Sequence, residues 1–190
     1  MTKMKSKTPG TSSLVLVLLA ISAATALILG LVNYITADRI KAINDEKANS
    51  AMTEGMPDDI ELTALEGDWD SKLVSTVFSI NRGGNLYGYA VELKVRGFAG
   101  IIDMAVDTTV AGEVISVSII SHSETSNLGA NAEKEDFREQ YIGANEALSI
   151  SKDGGTIDTL TGATVTSRAV TAGVNAAIQT VQSIDQGGQK

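Results

Sequence analysis

Between Thr8 and Ala37 the chain carries no charged side chain, and residues 14–35 read LVLVLLAISAATALILGLVNYI. As a helix rising about 1.5 Å per residue, that stretch reaches roughly 33 Å, enough to cross a hydrocarbon core of about 30 Å. The rival reading is a secretory signal. Its apolar region is shorter, about 7–15 residues, and a small-x-small cleavage site should follow it. No convincing site of that kind follows here, so the run reads as an uncleaved single anchor. Lys3, Lys5 and Lys7 precede it without any acid. This asymmetry predicts a cytoplasmic N-terminus, with the remainder on the extracytoplasmic side. The expected divisions are a cytoplasmic tail (1–13), a transmembrane helix (14–36), a stalk or first helix (37–57) and a folded domain (58–190).

Charge and composition narrow what that domain does. All 23 acidic side chains lie from Asp38 onward, against 12 of the 15 basic ones. A body of that sign repels nucleic acid, whose binding rests on neutralising phosphates with Lys and Arg. The chain has no cysteine, which excludes disulfides, thiolate-held iron–sulfur clusters and Cys-rich zinc sites. His122 is the only histidine, so a multi-His metal centre is excluded as well. Redox chemistry in this chain would have to use a bound organic cofactor.

Beyond the anchor, ADRIKAINDEKANSAMTEGMP has Ile40, Ile43, Lys47 and Ala51 at helical spacing, with Gly55 and Pro57 to end the helix. The pattern then changes to strands. Residues 73–80, 86–95, 100–109 and 113–122 are β-branched or alternate, and turn residues separate them. In the second run Tyr89, Val91, Leu93 and Val95 share one face. Short connections predict an antiparallel meander. An irregular stretch follows, then a helix over 133–141, a short strand over 148–151 and a turn at Gly154-Gly155. The last helix is expected over 166–184, with a stripe of small residues (Ala169, Ala172, Gly173, Ala176, Ala177) and Val181. The class is α+β: one N-terminal transmembrane helix, then an antiparallel sheet with flanking helices.

Three segments are candidates for chemistry. The first is DTLTGATVTS, residues 158–167. Thr166 or Ser167 suits the N-cap of the final helix, with Thr164 just outside it. Unpaired N–H groups and the helix dipole favour an anion there, and Gly162 and Ala163 leave room for a bulky ligand. On the pattern alone a simple cap competes with a phosphate site. The second is HSETSNLGA, residues 122–130, which gathers the histidine, an acid and a hydroxyl where a strand ends, a usual place for ligand contacts. The third, around Phe98 between Gly97 and Gly100, reads as a hairpin connection.

Together these segments resemble the FMN-binding domain family of redox-driven ion pumps. The likeness is to the G subunit of Rnf-type ferredoxin:NAD oxidoreductase complexes and, more distantly, to the C subunit of sodium-translocating NADH:quinone oxidoreductases. Asp158-Thr-Leu-Thr161-Gly162-Ala163-Thr164 matches the family's Asp-x-x-Ser/Thr-Gly-Ala-Thr at every fixed position. His122-Ser-Glu124-Thr125-Ser126-Asn127-Leu128-Gly129 is similar to its His-x-Glu-Thr-Pro-Gly-Leu-Gly loop, with Ser126-Asn127 in place of Pro-Gly; Asn tolerates a left-handed turn. Gly88-Tyr89 through Arg96-Gly97-Phe98-Ala99-Gly100-Ile101 resembles the family's Gly-Tyr…Gly-Tyr-Gly-Gly segment.

The resemblance implies an electron-carrying member of an ion-translocating complex, with FMN joined by a phosphoester to Thr164. Thr161, Gly162 and Ala163, with Asp158, would form the motif that a separate flavin transferase reads. Glu124, Thr125, Leu128 and Gly129 would line the isoalloxazine or phosphate side, and Thr166 and Ser167 would hydrogen-bond the phosphate. His122 is a weaker candidate. The implied partners are other membrane subunits of the complex and its iron–sulfur and flavin subunits. The alternatives are the C-type counterpart in the quinone reductase, a noncovalent FMN-binding sensing module, and a structural anchor whose threonines only cap a helix.

Overall fold

Alternation with a period of two shapes the centre of the domain. The structure, a computed structural model, describes residues 10–53, 56, 59–67, 69 and 71–187. The chain divides into two units, Met1–Ile43 and Asn44–Lys190. Helix α1 (Thr11–Ala51) supplies the described residues of the first and opens the second. Over residues 14–35 the helix carries no charge on any side, and Leu14, Leu18, Leu27 and Ile35 are all exposed. A helix with no polar face suits a lipid environment and is long and apolar enough to cross a membrane. Residues 37–51 are helical too; Gly55 and Pro57, the expected stop, lie outside the described residues.

The second unit is built on five antiparallel strands in the order β1-β2-β3-β4-β5. They are β1 (Ile60–Leu65), β2 (Val74–Arg82), β3 (Asn85–Arg96), β4 (Ile101–Thr109) and β5 (Val114–His122). Each strand pairs with the next in sequence, as short turns allow. The α+β class and the meander are as expected. Strand β1 was not anticipated, although Ile60, Leu62 and Ala64 alternate with polar residues; six residues are a weak signal by themselves.

Alternation gives the sheet two different faces. On one, Val91, Leu93 and Val95 of β3 and Ile102, Met104 and Val106 of β4 are fully buried. They pack against Val170, Val174, Ala177, Ile178 and Val181 of α3 (Thr164–Gly187). Small residues on α3 permit that approach. A Cβ on Gly173 would lie 2.6 Å from the Met104 sulfur and 3.0 Å from Val95 Cγ1. The other face carries Ile80, Ala90, Ala105 and Ile120, covered by Ala48 and Met52 near the end of α1.

Between β5 and α3 the chain is mostly turns. The helix expected over 133–141 is three short pieces: 3₁₀ turns at Gly129–Glu133 and Glu139–Tyr141 flank α2 (Glu135–Arg138). The strand expected over 148–151 reduces to one parallel bridge, Ile150 to Ile157, followed by a 3₁₀ turn at Ser151–Asp153. Helix α3 ties this region down. The Asn175 side chain accepts from the Leu148 N–H and donates to its carbonyl, both at 2.8 Å. The Tyr141 hydroxyl meets Thr171 Oγ1 at 2.9 Å.

Candidate functional site

The start of α3 differs from expectation and thereby positions the site. Residues 160–163 form a turn closed by the Ala163 N–H to the Leu160 carbonyl at 3.0 Å. Its third residue, Gly162, has φ +75°, a conformation glycine adopts without penalty. The helix therefore begins at once, at Thr164, and its first internal bond is the Ser167 N–H to the Ala163 carbonyl. Neither Thr166 nor Ser167 is a cap. The Ser167 hydroxyl donates back to the Ala163 carbonyl and accepts the Leu160 N–H, both at 3.0 Å. Thr164 thus sits in the first turn, where N–H groups have no acceptor inside the helix and the dipole is positive.

The loop after β5 meets this helix start through one carboxylate. Glu124 is only 8% exposed. Its Oε2 accepts the Thr166 hydroxyl at 2.6 Å, and its Oε1 accepts the Ala99 N–H at 3.0 Å. A Cβ on either Gly97 or Gly129 would collide with this carboxylate, so the two glycines are the floor and lid of its niche. Glu124 accordingly ties together the β3–β4 connection, the 122–129 loop and α3. The loop keeps its shape at Ser126-Asn127, where Asn127 takes φ +60°; its carbonyl accepts from the Asn131 side chain at 2.9 Å.

His122 sits behind this loop. Its Nδ1 accepts the Glu124 backbone N–H at 3.1 Å and its Nε2 lies 3.1 Å from Glu133 Oε1. A neutral ring with its proton on Nε2 serves both partners. The histidine supports the loop from outside the cavity.

In front of Glu124 lies a cavity of about 280 Å³. Glu124, Thr125, Leu128 and Gly129 line it from the loop, and Gly162, Ala163, Thr164 and Thr166 from the motif. Two segments separated by about thirty residues in sequence thus converge on one concave surface. Asp158, Thr161 and Ser167 do not line it. Asp158 and Thr161 are exposed, while the Asp158 N–H is held by Gln140 Oε1 at 2.6 Å. Sequence reasoning missed two lining residues, Phe98 and Val165. Phe98 is 72% exposed, at the tip of the β3–β4 connection; an aromatic there is the signal that could have found it, since a hairpin tip has no core to fill.

The cavity walls suit a planar aromatic ligand that bears an anion. Phe98, Leu128 and Val165 give apolar surface, and the N-terminus of α3 gives the anion-favouring end. At that end the Lys152 ammonium donates to Thr164 Oγ1 at 2.7 Å, which places a side-chain cation beside that hydroxyl. Among the described residues no group of acids or histidines is arranged to hold a metal.

Comparison with known proteins gives the family and the fold. A family model described as the FMN-binding domain matches residues 97–179, which contain both converging segments. The G subunit of the Na⁺-translocating ferredoxin:NAD⁺ oxidoreductase complex of Acetobacterium woodii is 31% identical over 190 residues, covering 90% of this chain and 91% of that protein. The G subunit of the ion-translocating oxidoreductase complex of Methanosarcina acetivorans is 30% identical, covering 90% and 95%. Its counterpart in the proton-translocating ferredoxin:NAD⁺ oxidoreductase complex of Clostridium ljungdahlii is 40% identical over 114 residues, or 58% of this chain and 62% of that one. Among solved structures, the C subunit of the Na⁺-translocating NADH-quinone reductase of Parabacteroides distasonis shares the fold, with a TM-score of 0.59 at 16% identity, over 82% of this chain and 98% of that one.

Proposed function

The chain belongs to the family of G subunits of ion-translocating ferredoxin:NAD⁺ oxidoreductase complexes, and from that premise we propose that it is the membrane-anchored, FMN-bearing electron carrier of such a complex. The observation that carries the proposal is the meeting of Gly162, Ala163 and Thr164 of the motif with the 122–129 loop around one cavity, with Thr164 among its lining residues. FMN supplies one- and two-electron redox chemistry when bound.

The residues divide the work of holding it. Thr164 provides the oxygen for a phosphoester, and the first N–H groups of α3 face the phosphate. Phe98, Leu128 and Val165, which line the cavity, would supply apolar surface for the ring and keep water from it. Thr125, Gly129, Gly162 and Ala163 shape the cavity. Glu124, Thr166 and Ser167 hold the two segments in place, since their side chains are engaged with one another or with Ala99, Leu160 and Ala163. Asp158 and Thr161, exposed beside the cavity, are accessible to a flavin transferase. A covalent tether suits a carrier that must keep its flavin in either redox state. The apolar helix anchors the chain with the acidic domain on the extracytoplasmic side, against partner subunits that carry the other redox centres.

Intact mass of the chain produced with its flavin transferase tests the bond. One FMN phosphoester is expected in the wild type and none in Thr164→Ala. A wild-type chain that fluoresces with flavin when native but not after denaturing electrophoresis would mean noncovalent FMN, and a chain with no flavin at all would mean a structural anchor.

A further inference from the structure

Lys152 lies twelve residues before Thr164, outside every motif used so far, yet its ammonium is 2.7 Å from the Thr164 hydroxyl oxygen. The contact is on the surface, but the turn that carries Lys152 is fixed in place. The 3₁₀ turn Ser151–Asp153 that carries Lys152 is held on three sides. Asp153 forms a two-pronged pair with Arg168 of α3, both contacts at 2.7 Å. Hydrogen bonding from that guanidinium keeps the Asp153 carboxyl ionised below the ordinary carboxylate range. The Ser151 N–H donates to the Ile157 carbonyl at 2.7 Å, and the Gly155 N–H to the Ile150 carbonyl at 3.0 Å. Lys152 thus projects from a turn fixed to the same helix that carries Thr164.

A neutral hydroxyl at a helix start needs no lysine to satisfy it; water does that equally well. A cation becomes useful if negative charge develops at this oxygen and on a phosphate joined to it. We propose that Lys152 is the cationic residue of the flavin-attachment site, an inference that rests on the Thr164 reading above. Attachment forms a bond between Thr164 Oγ1 and the flavin phosphorus. It breaks the phosphoanhydride bond of an activated flavin dinucleotide donor and releases the nucleotide monophosphate; the threonine proton passes to a base of the transferase. No electrons change hands. Lys152 orients Oγ1 by donating to one of its lone pairs, and its charge opposes the charge that builds on the phosphoryl oxygens as the bond forms. Once the ester exists, the ammonium faces a phosphodiester anion on one side while the first turn of α3 faces it on the other.

The test is a time course of flavin incorporation, followed by intact mass, with the full-length chain in detergent, purified transferase and flavin dinucleotide. Wild type is compared with Lys152→Gln, Lys152→Arg and Thr164→Ala. Lys152→Gln should lower kcat about tenfold with little change in KM, because the charge acts on the attachment step. Lys152→Arg should recover most of the rate. Raising the salt should shrink the gap between wild type and Gln, since the contribution is Coulombic and partly exposed to solvent. Gln incorporating flavin at the wild-type rate, a loss confined to KM, or an Arg variant as slow as Gln would each overturn the assignment while leaving Thr164 modified. A wild type that takes no flavin removes the Thr164 reading and Lys152's role together.

Discussion

Both oxygens of the Glu124 carboxylate are engaged, one by a backbone N–H and one by the Thr166 hydroxyl, in a niche walled by two glycines. Glu124→Gln offers one oxygen where the carboxylate offers two, so one of these two charge-assisted bonds is lost or must be reversed. That change should cost about 1–3 kcal/mol, read as a lower denaturation midpoint for the full-length chain in detergent; an unchanged midpoint would dismiss the carboxylate as the tie between the three segments. Asn127 shows the same economy. At φ +60° it takes the left-handed conformation that asparagine tolerates better than most residues other than glycine. Glu92 is a contrasting acid. Half-burial pushes its carboxyl up, against the opposing Thr76 hydrogen bond and the Lys94 charge, so it carries a small burden at neutral pH.

At the scale of elements, α3 has three roles. It covers one face of the sheet, its N-terminus forms part of the site, and its side chains hold the turn-rich segment between β5 and itself. The Tyr141 hydroxyl is part of that third role. Since Thr171 Oγ1 already donates to the Ser167 carbonyl, the tyrosine O–H is the donor in their contact. Burial pushes this phenol from 10.0 up to about 12. The folded chain therefore keeps a proton that the unfolded chain sheds above pH 10. The stability this confers is complete below pH 10 and is lost as pH rises toward about 12. Tyr141→Phe should cost about 1 kcal/mol at neutral pH and flatten the alkaline fall in unfolding free energy. Urea unfolding at pH 7 and at steps above pH 10 measures both, and parallel pH slopes for the two proteins would rule out Tyr141 as the source. A second element-scale expectation concerns the tight contact of helix and sheet at Gly173. Gly173→Leu has to displace Met104 and Val95 and should lower stability by about 1–3 kcal/mol through overpacking, measured by thermal unfolding.

For the whole molecule, the arrangement across the membrane is the open prediction. With no native cysteine, single-cysteine labelling is clean. Glu135→Cys should react with an impermeant maleimide on intact cells and Ser6→Cys only after lysis; the reverse pattern would place the flavin domain in the cytoplasm. Much at this scale was legible in the sequence because it depends on local repetition. An uncharged apolar run is a property of consecutive residues, as is the alternation in β2 to β5, and short turns dictate a meander. The 158–164 motif was legible too, because its turn needs a glycine at one fixed place. What sequence reading left out depends on distant segments meeting. The helix start is the local exception: it lies at Thr164, two residues before the expected 166, because Gly162 closes the turn just ahead of it. Thr166 and Ser167, expected at a phosphate, have their side chains engaged inside the protein because Glu124 and Leu160 arrive beside them. Phe98 joins the cavity, and Lys152 reaches Thr164, only because the β3–β4 connection and the turn at Ser151–Asp153 lie beside the start of α3. The amino-acid order by itself determined the long apolar helix and the α+β meander, each a pattern among near neighbours. Which carboxylate ties the site, which aromatic walls it and which cation reaches Thr164 were decided only by tertiary packing, since those partners lie far apart in the chain and proximity is created by the sheet and α3.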